Sequence, residues 1–83
     1  MAPLPLSVSF DGDITALLLA VDDQDTAEAV GRQIAAHVVG RRVRDRGTPI
    51  RVRHDGRVLP PGQRVGEAGV RPLDHVEAFF DEP

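Results

Sequence analysis

The chain has 83 residues, 41% hydrophobic and 28% charged, with a formal net charge of −3. That is one globular domain spanning residues 1–83, with neither the length for a second unit nor the composition of a disordered chain. A domain this small buries only about 60% of its unfolded surface. With no Cys to supply a disulfide, a thiolate nucleophile or a Cys-based zinc site, packing or a larger partner must stabilise it.

Leu4, Leu6, Val8 and Phe10 alternate with Pro5, Ser7 and Ser9, a period-two pattern that predicts a first strand. Asp11-Gly12-Asp13 supplies a turn, and the apolar run Ile14 to Val21 predicts the returning arm of a hairpin. Leu17, Leu19 and Val21 would face a core. Ile14, Ala16, Leu18 and Ala20 leave the other face apolar too, which predicts burial by a partner subunit or a second copy. This strand is expected at a sheet edge, so Leu18→Asp should abolish association and leave a folded monomer.

Asp25 or Thr26 can cap a helix near residues 25–40, with Glu28 three residues after Asp25 as in a capping box. Val30, Ile34 and Val38 form its apolar stripe, extended by Ala27, and Gly40 is a plausible stop. Ile50-Arg51-Val52-Arg53-His54 alternates as a third strand. Asp55-Gly56 is a two-residue hairpin signal, Arg57-Val58-Leu59 returns, and Pro60-Pro61-Gly62 ends that arm. Val65 and Val70 would anchor a turn to the core, and His75 to Phe80 is a last strand with Val76, Ala78 and Phe80 on one face. The order of hairpin, helix, hairpin, turn and strand predicts an α+β domain: a mixed sheet with one helix on one face, and the first and last strands as central neighbours.

The chemistry-bearing residues are sparse. Without Lys there is no Schiff base. Ser7 and Ser9 lie on the first strand outside any nucleophile-elbow context. His37, His54 and His75 lack metal-ligand spacing, although His54 and His75 could be cross-strand neighbours. Asp22, Asp23 and Asp25 suit a helix N-terminus better than a calcium loop. No Gly-rich phosphate loop is present. No catalytic, cofactor-binding or metal-ligating residue is assigned. No apolar run approaches the roughly 20 residues of a membrane span, and no basic segment precedes an apolar one near Met1, so a cytoplasmic chain without membrane contact is expected.

Charge is unevenly placed. Seven arginines against Asp45 and Asp55 give residues 41–57 a net +5, while three arginines against eleven carboxylates leave the rest at −8. Arg pairs bidentately with carboxylates and is enriched at interface hot spots. Arg41, Arg42, Arg51 and Arg53 are therefore the expected partner contacts, beside Ile14 and Leu18. On this reading Arg42→Glu should weaken assembly without unfolding the domain. The alternative is a free-standing interaction module that binds nucleic acid through the same segment. Stacking aromatics are missing there, since the three Phe stand at positions 10, 79 and 80, and the acidic remainder repels phosphate.

The element order, with Asp25-Thr26 before Val30 and Ile34, Asp55-Gly56-Arg57 before Leu59, and Val65 to Val70 before Val76, resembles the ubiquitin-like β-grasp. The final Asp81-Glu82-Pro83 lacks the Gly-Gly tail of conjugating relatives, and Arg53 stands where ubiquitin has an apolar contact residue. Neither conjugation nor ubiquitin-receptor binding is expected.

A closer resemblance is carried by His37, Val39, Arg41-Arg42-Val43, Arg51-Val52-Arg53, Leu59-Pro60, Glu67 with Gly69, Pro72 and Glu82. These residues resemble the small γ (B) subunit of bacterial toluene monooxygenase hydroxylases, over roughly residues 6–82. The resemblance implies a non-catalytic subunit of an NADH-dependent multicomponent aromatic-hydrocarbon monooxygenase. It implies α and β hydroxylase subunits as partners, a di-iron centre in the α subunit, no cofactor in this chain, and docking of γ on the large subunit for assembly and stability.

Overall fold

The structure is a computed structural model and describes residues 2–81. Glu82, part of the resemblance above, lies outside the described residues. The elements are β1 (Pro3–Phe10), β2 (Leu17–Asp22), α1 (Ala27–Val38), β3 (Ile50–His54), β4 (Arg57–Val58) and β5 (His75–Phe80). They form one five-stranded sheet in the order β2-β1-β5-β3-β4, parallel between β1 and β5 and antiparallel elsewhere. The first and last strands are central neighbours, as their fully apolar inward residues require.

Strands β1, β3 and β5 turn alternate residues toward α1. Leu4, Leu6, Val8 and Phe10 of β1 meet Val76 and Ala78 of β5 and Val52 of β3 in the core, under Val30, Ile34 and Val38 of the helix. Gly31 lets α1 approach β3 closely: a Cβ there would stand 3.1 Å from Ile50 Cγ2 and 3.3 Å from Val52 Cγ2. Val65, Leu59 and Val70 close the core from the long connection before β5. Phe80 packs edge-on to Phe10, ring centroids 5.1 Å apart.

Three boundaries differ from the sequence reading. The second strand begins at Leu17, not Ile14, because Asp13 claims the preceding backbone. Asp13 N–H donates to the Phe10 carbonyl and the Asp13 carboxylate accepts from Thr15 N–H, a local alternative to strand pairing. Ile14 therefore stands on a loop, fully exposed, and not on a strand face.

The helix is capped by Thr26, whose hydroxyl accepts from Ala29 N–H at 3.2 Å. This leaves Asp25 outside the helix and Glu28 paired with Arg32, so the Asp25–Glu28 capping box does not form. The C-cap is Val39, one residue before Gly40. The fourth strand stops at Val58; Leu59 turns inward, its N–H still donating to the Val52 carbonyl, and the two prolines that follow remove further donors. The β3–β4 turn is as read: Asp55 and Gly56 carry φ of 53° and 79°, positive at both positions as a type I′ hairpin demands.

Candidate interaction surface

With the helix covering one face, the opposite face of the sheet carries Pro5, Ser7 and Ser9 of β1, Leu18 and Ala20 of β2, His75, Glu77 and Phe79 of β5, Arg51 and Arg53 of β3, and Val58 of β4. Leu18 is 79% exposed, and Val58 is exposed at the far side. Leu73 is exposed as well and its N–H donates to the Pro5 carbonyl, so it stands beside β1. A sheet face edged by uncovered apolar side chains is the form of a protein interface.

The arginines expected to form one contact patch are distributed over two places. Arg51 and Arg53 lie on the open face, as their alternation around buried Val52 predicts. Arg53 pairs with Glu77 and stacks over the Phe79 ring, its guanidinium carbon 4.5 Å from the centroid. Arg51 Nε stands 3.4 Å from Asp81 Oδ2. Arg41 and Arg42 instead follow the helix, at the end of the sheet where the β1–β2 loop lies.

Arg42 Nε donates to Asp13 Oδ2 at 2.9 Å, and the Asp13 side chain is only 4% exposed. Burial raises the Asp13 pKa, but the Arg42 hydrogen bond, the Thr15 N–H and the arginine charge outweigh it and hold the carboxyl below its ordinary value. Arg42 is therefore engaged within the chain as well as exposed, and a glutamate in its place would set a second carboxylate against Asp13. Beside this pair, Asp11, Gly12, Arg42, Val43, Arg44, Arg46 and Phe80 line a concavity of about 320 Å3. Arg41 is exposed next to it.

The histidines are not brought together. The β3–β5 register sets His54 opposite Val76, not His75. His54 Nε2 lies 2.9 Å from Asp74 Oδ2, while its other ring nitrogen is buried without a hydrogen-bond partner. His37 is exposed at the end of the helix. His75 lies between two hydroxyls, Nδ1 2.9 Å from Ser7 Oγ and Nε2 2.9 Å from Ser9 Oγ.

This serine–histidine contact was missed in the sequence, because the parallel β1–β5 register creates it across more than 60 positions. It does not build a nucleophile. Both ring nitrogens are taken by hydroxyls, so no carboxylate orients the imidazole, and the group lies on an open sheet face.

Among the described residues no group of three or more His, Asp or Glu is placed to hold a metal ion, and no helix is long and apolar enough to cross a membrane. Val58 and Leu73 escaped sequence reading as surface residues. Period-two alternation sets Glu77 and Phe79 on the face opposite Val76 and Ala78, but does not reveal that they stand across from Arg53 and Arg51.

The chain is 30% identical over 84 residues to the toluene-4-monooxygenase system, hydroxylase component subunit gamma, of Ectopseudomonas mendocina, covering 99% of this chain and 100% of that relative. It superposes with a TM-score of 0.91 on a chain of the toluene 4-monooxygenase HD complex with the inhibitor 4-bromobenzoate, at 28% identity over 96% of this chain and 100% of that one. Caldiarchaeum subterraneum ubiquitin matches at TM-score 0.72 and 19% identity, over 99% of this chain and 98% of that one, which shows the ubiquitin-like fold. The family model of toluene-4-monooxygenase system protein B matches residues 3–80. With its β-grasp topology and its full-length relative, the chain belongs to the toluene-4-monooxygenase system protein B (TmoB) family.

Proposed function

We propose that this chain is the non-catalytic γ subunit of a multicomponent di-iron aromatic monooxygenase hydroxylase, and that it docks on the large α subunit to stabilise an assembly that also contains β. The observation that carries this reading is the full-length superposition on a chain of a toluene 4-monooxygenase complex at 28% identity. The open sheet face and the exposed Ile14 and Leu18 supply a docking surface for it. Arg41, Arg51 and Arg53 are the arginines offered to the partner, and Arg42 holds the adjoining loop in place. NADH-derived electrons and a cytoplasmic setting follow from the same family role.

The described residues of this chain do not fit a di-iron centre. Such centres draw carboxylates and histidines from several facing helices, whereas here one helix faces a sheet and His54 and His75 are engaged by Asp74, Ser7 and Ser9. In this reading the iron belongs to the α subunit, and no chemical step is assigned to this chain.

Co-expression with the α and β homologues of the same organism tests the reading. A stable complex that contains this chain, and that loses stability when the chain is omitted, is the expected result. Failure to associate, together with tight nucleic-acid binding of steep salt dependence, would replace it with the interaction-module alternative.

A further inference from the structure

Two Asp-Gly pairs occur in the sequence, Asp11-Gly12 and Asp55-Gly56. In such a pair the main-chain nitrogen can attack the preceding side-chain carboxyl, because glycine puts no side chain beside its own nitrogen. Both pairs are exposed and both occupy the centre of a turn. The turns differ, and that difference separates the two sites.

Asp13 N–H donates to the Phe10 carbonyl at 2.9 Å, so Phe10–Asp13 is a β-turn with Asp11 and Gly12 at its centre. Gly12 carries a φ of 91° while Asp11 is outside the positive-φ region, the signature of a type II turn. The first central residue of such a turn has ψ near about +120°. From there, rotation through ordinary extended backbone brings the Gly12 nitrogen round to Asp11 Cγ. Neither the Gly12 N–H nor the Asp11 carboxylate has a hydrogen-bond partner among the described residues. No atom lies within 4 Å of the place a Gly12 Cβ would take.

Asp55 is held otherwise. Its φ is 53° and that of Gly56 is 79°. The type I′ turn sets ψ of its first central residue near about +30°, which keeps the Gly56 nitrogen on the far side of Cα from the Asp55 side chain. Leaving that conformation would unpair Arg53 from Val58 and His54 from Arg57.

We infer that Asp11-Gly12 is a site of spontaneous aspartate isomerisation, held in check by the Arg42–Asp13 pair. The Gly12 nitrogen attacks Cγ of the protonated Asp11 carboxyl. The N–Cγ bond forms, the C–OH bond breaks, and the amide proton leaves with the hydroxyl as water. The cyclic imide then takes up water at either carbonyl. Addition at the main-chain carbonyl yields isoaspartate, whose backbone runs through Cβ and Cγ and whose α-carboxylate is free, a substrate for enzymes that methylate isoaspartyl carboxylates. Ring closure needs a near-attack geometry, and so a turning of the loop. The 2.9 Å contact between Arg42 Nε and Asp13 Oδ2 anchors the residue after Gly12 and opposes that turning.

Incubation of the full chain at mildly acidic pH, followed by isoaspartyl methyltransferase labelling and peptide mapping, tests the inference. Label should accumulate at Asp11 at least about tenfold faster than at Asp55, since only the first site reaches the attack geometry without losing strand pairs. It should vanish in Asp11→Ser and persist in Asp55→Gly. Arg42→Ala should speed labelling at Asp11 by about fivefold and leave Asp55 unchanged, as local opening of one loop requires. Equal rates at the two sites, or no label at Asp11 after weeks, overturns the inference. An unchanged rate at Asp11 in Arg42→Ala overturns the restraint, and so does parallel acceleration at Asp55, which reports general unfolding.

Discussion

Arg42 and Asp13, 29 positions apart, are joined by a 2.9 Å contact that ties the segment after the helix to the β1–β2 loop. Asp13 uses its other oxygen to accept from Thr15 N–H, so one carboxylate fixes both the loop's own turn and its attachment to the arginine-rich segment. The loop that presents Ile14 owes its position to this pair.

Arg42→Glu is accordingly expected to destabilise the isolated chain more than Arg42→Ala does, since it adds repulsion to the lost hydrogen bond. Adding Asp13→Asn to Arg42→Glu should recover part of the loss. Thermal melts of the three variants at neutral pH check the order; equal midpoints for Arg42→Glu and Arg42→Ala would show that the pair carries no electrostatic weight.

Leu18→Asp should stay folded, with stability within about 0.5 kcal/mol of the parent, because Leu18 is exposed on the sheet face away from the helix. Ile34→Ala, at a site 1% exposed in the middle of the helix stripe, should cost about 2–5 kcal/mol. Urea unfolding of both, with a pull-down by the large hydroxylase subunit, separates the faces: Leu18→Asp loses association and keeps its midpoint, and Ile34→Ala keeps its surface and loses its midpoint.

Asp74 governs part of the acid response. The Arg71 N–H and then the His54 ring hold its carboxyl below the ordinary aspartate value of 3.8, against a smaller opposing effect of burial. A carboxyl whose folded pKa is depressed adds stability that is fully present above its unfolded value and is lost as pH falls through the folded one. Asp74→Asn should therefore be less stable than the parent at neutral pH and show a shallower loss between about pH 5 and pH 2. Urea midpoints across that range measure it; parallel curves would remove Asp74 from the acid limb.

The strands, the helix and the Asp55-Gly56 turn were legible in the sequence because each rests on local periodicity or on a backbone conformation that few residues adopt. Leu6, Val8, Val30, Ile34, Val52 and Val76 are read as inward by spacing alone, and all are buried. The family was legible as well, since His37 through Val43 and the arginines of the third strand lie in a recognisable run. Exposure of Leu18 and Ala20 followed from an alternation in which both faces of one strand are apolar.

What only the tertiary structure decided are the pairings between distant segments. A sequence window cannot reveal that Arg42 reaches Asp13, that Arg53 pairs with Glu77 over Phe79, or that His75 settles between Ser7 and Ser9. These contacts depend on the β1–β5 and β3–β5 registers and on where the chain lands after the helix. Local propensity also misplaced the start of β2, because an Asp13 carboxylate held by a remote arginine outcompetes strand pairing for the backbone at Thr15. Side-chain periodicity specifies which residues turn inward; the long-range register specifies which polar groups meet on the outside.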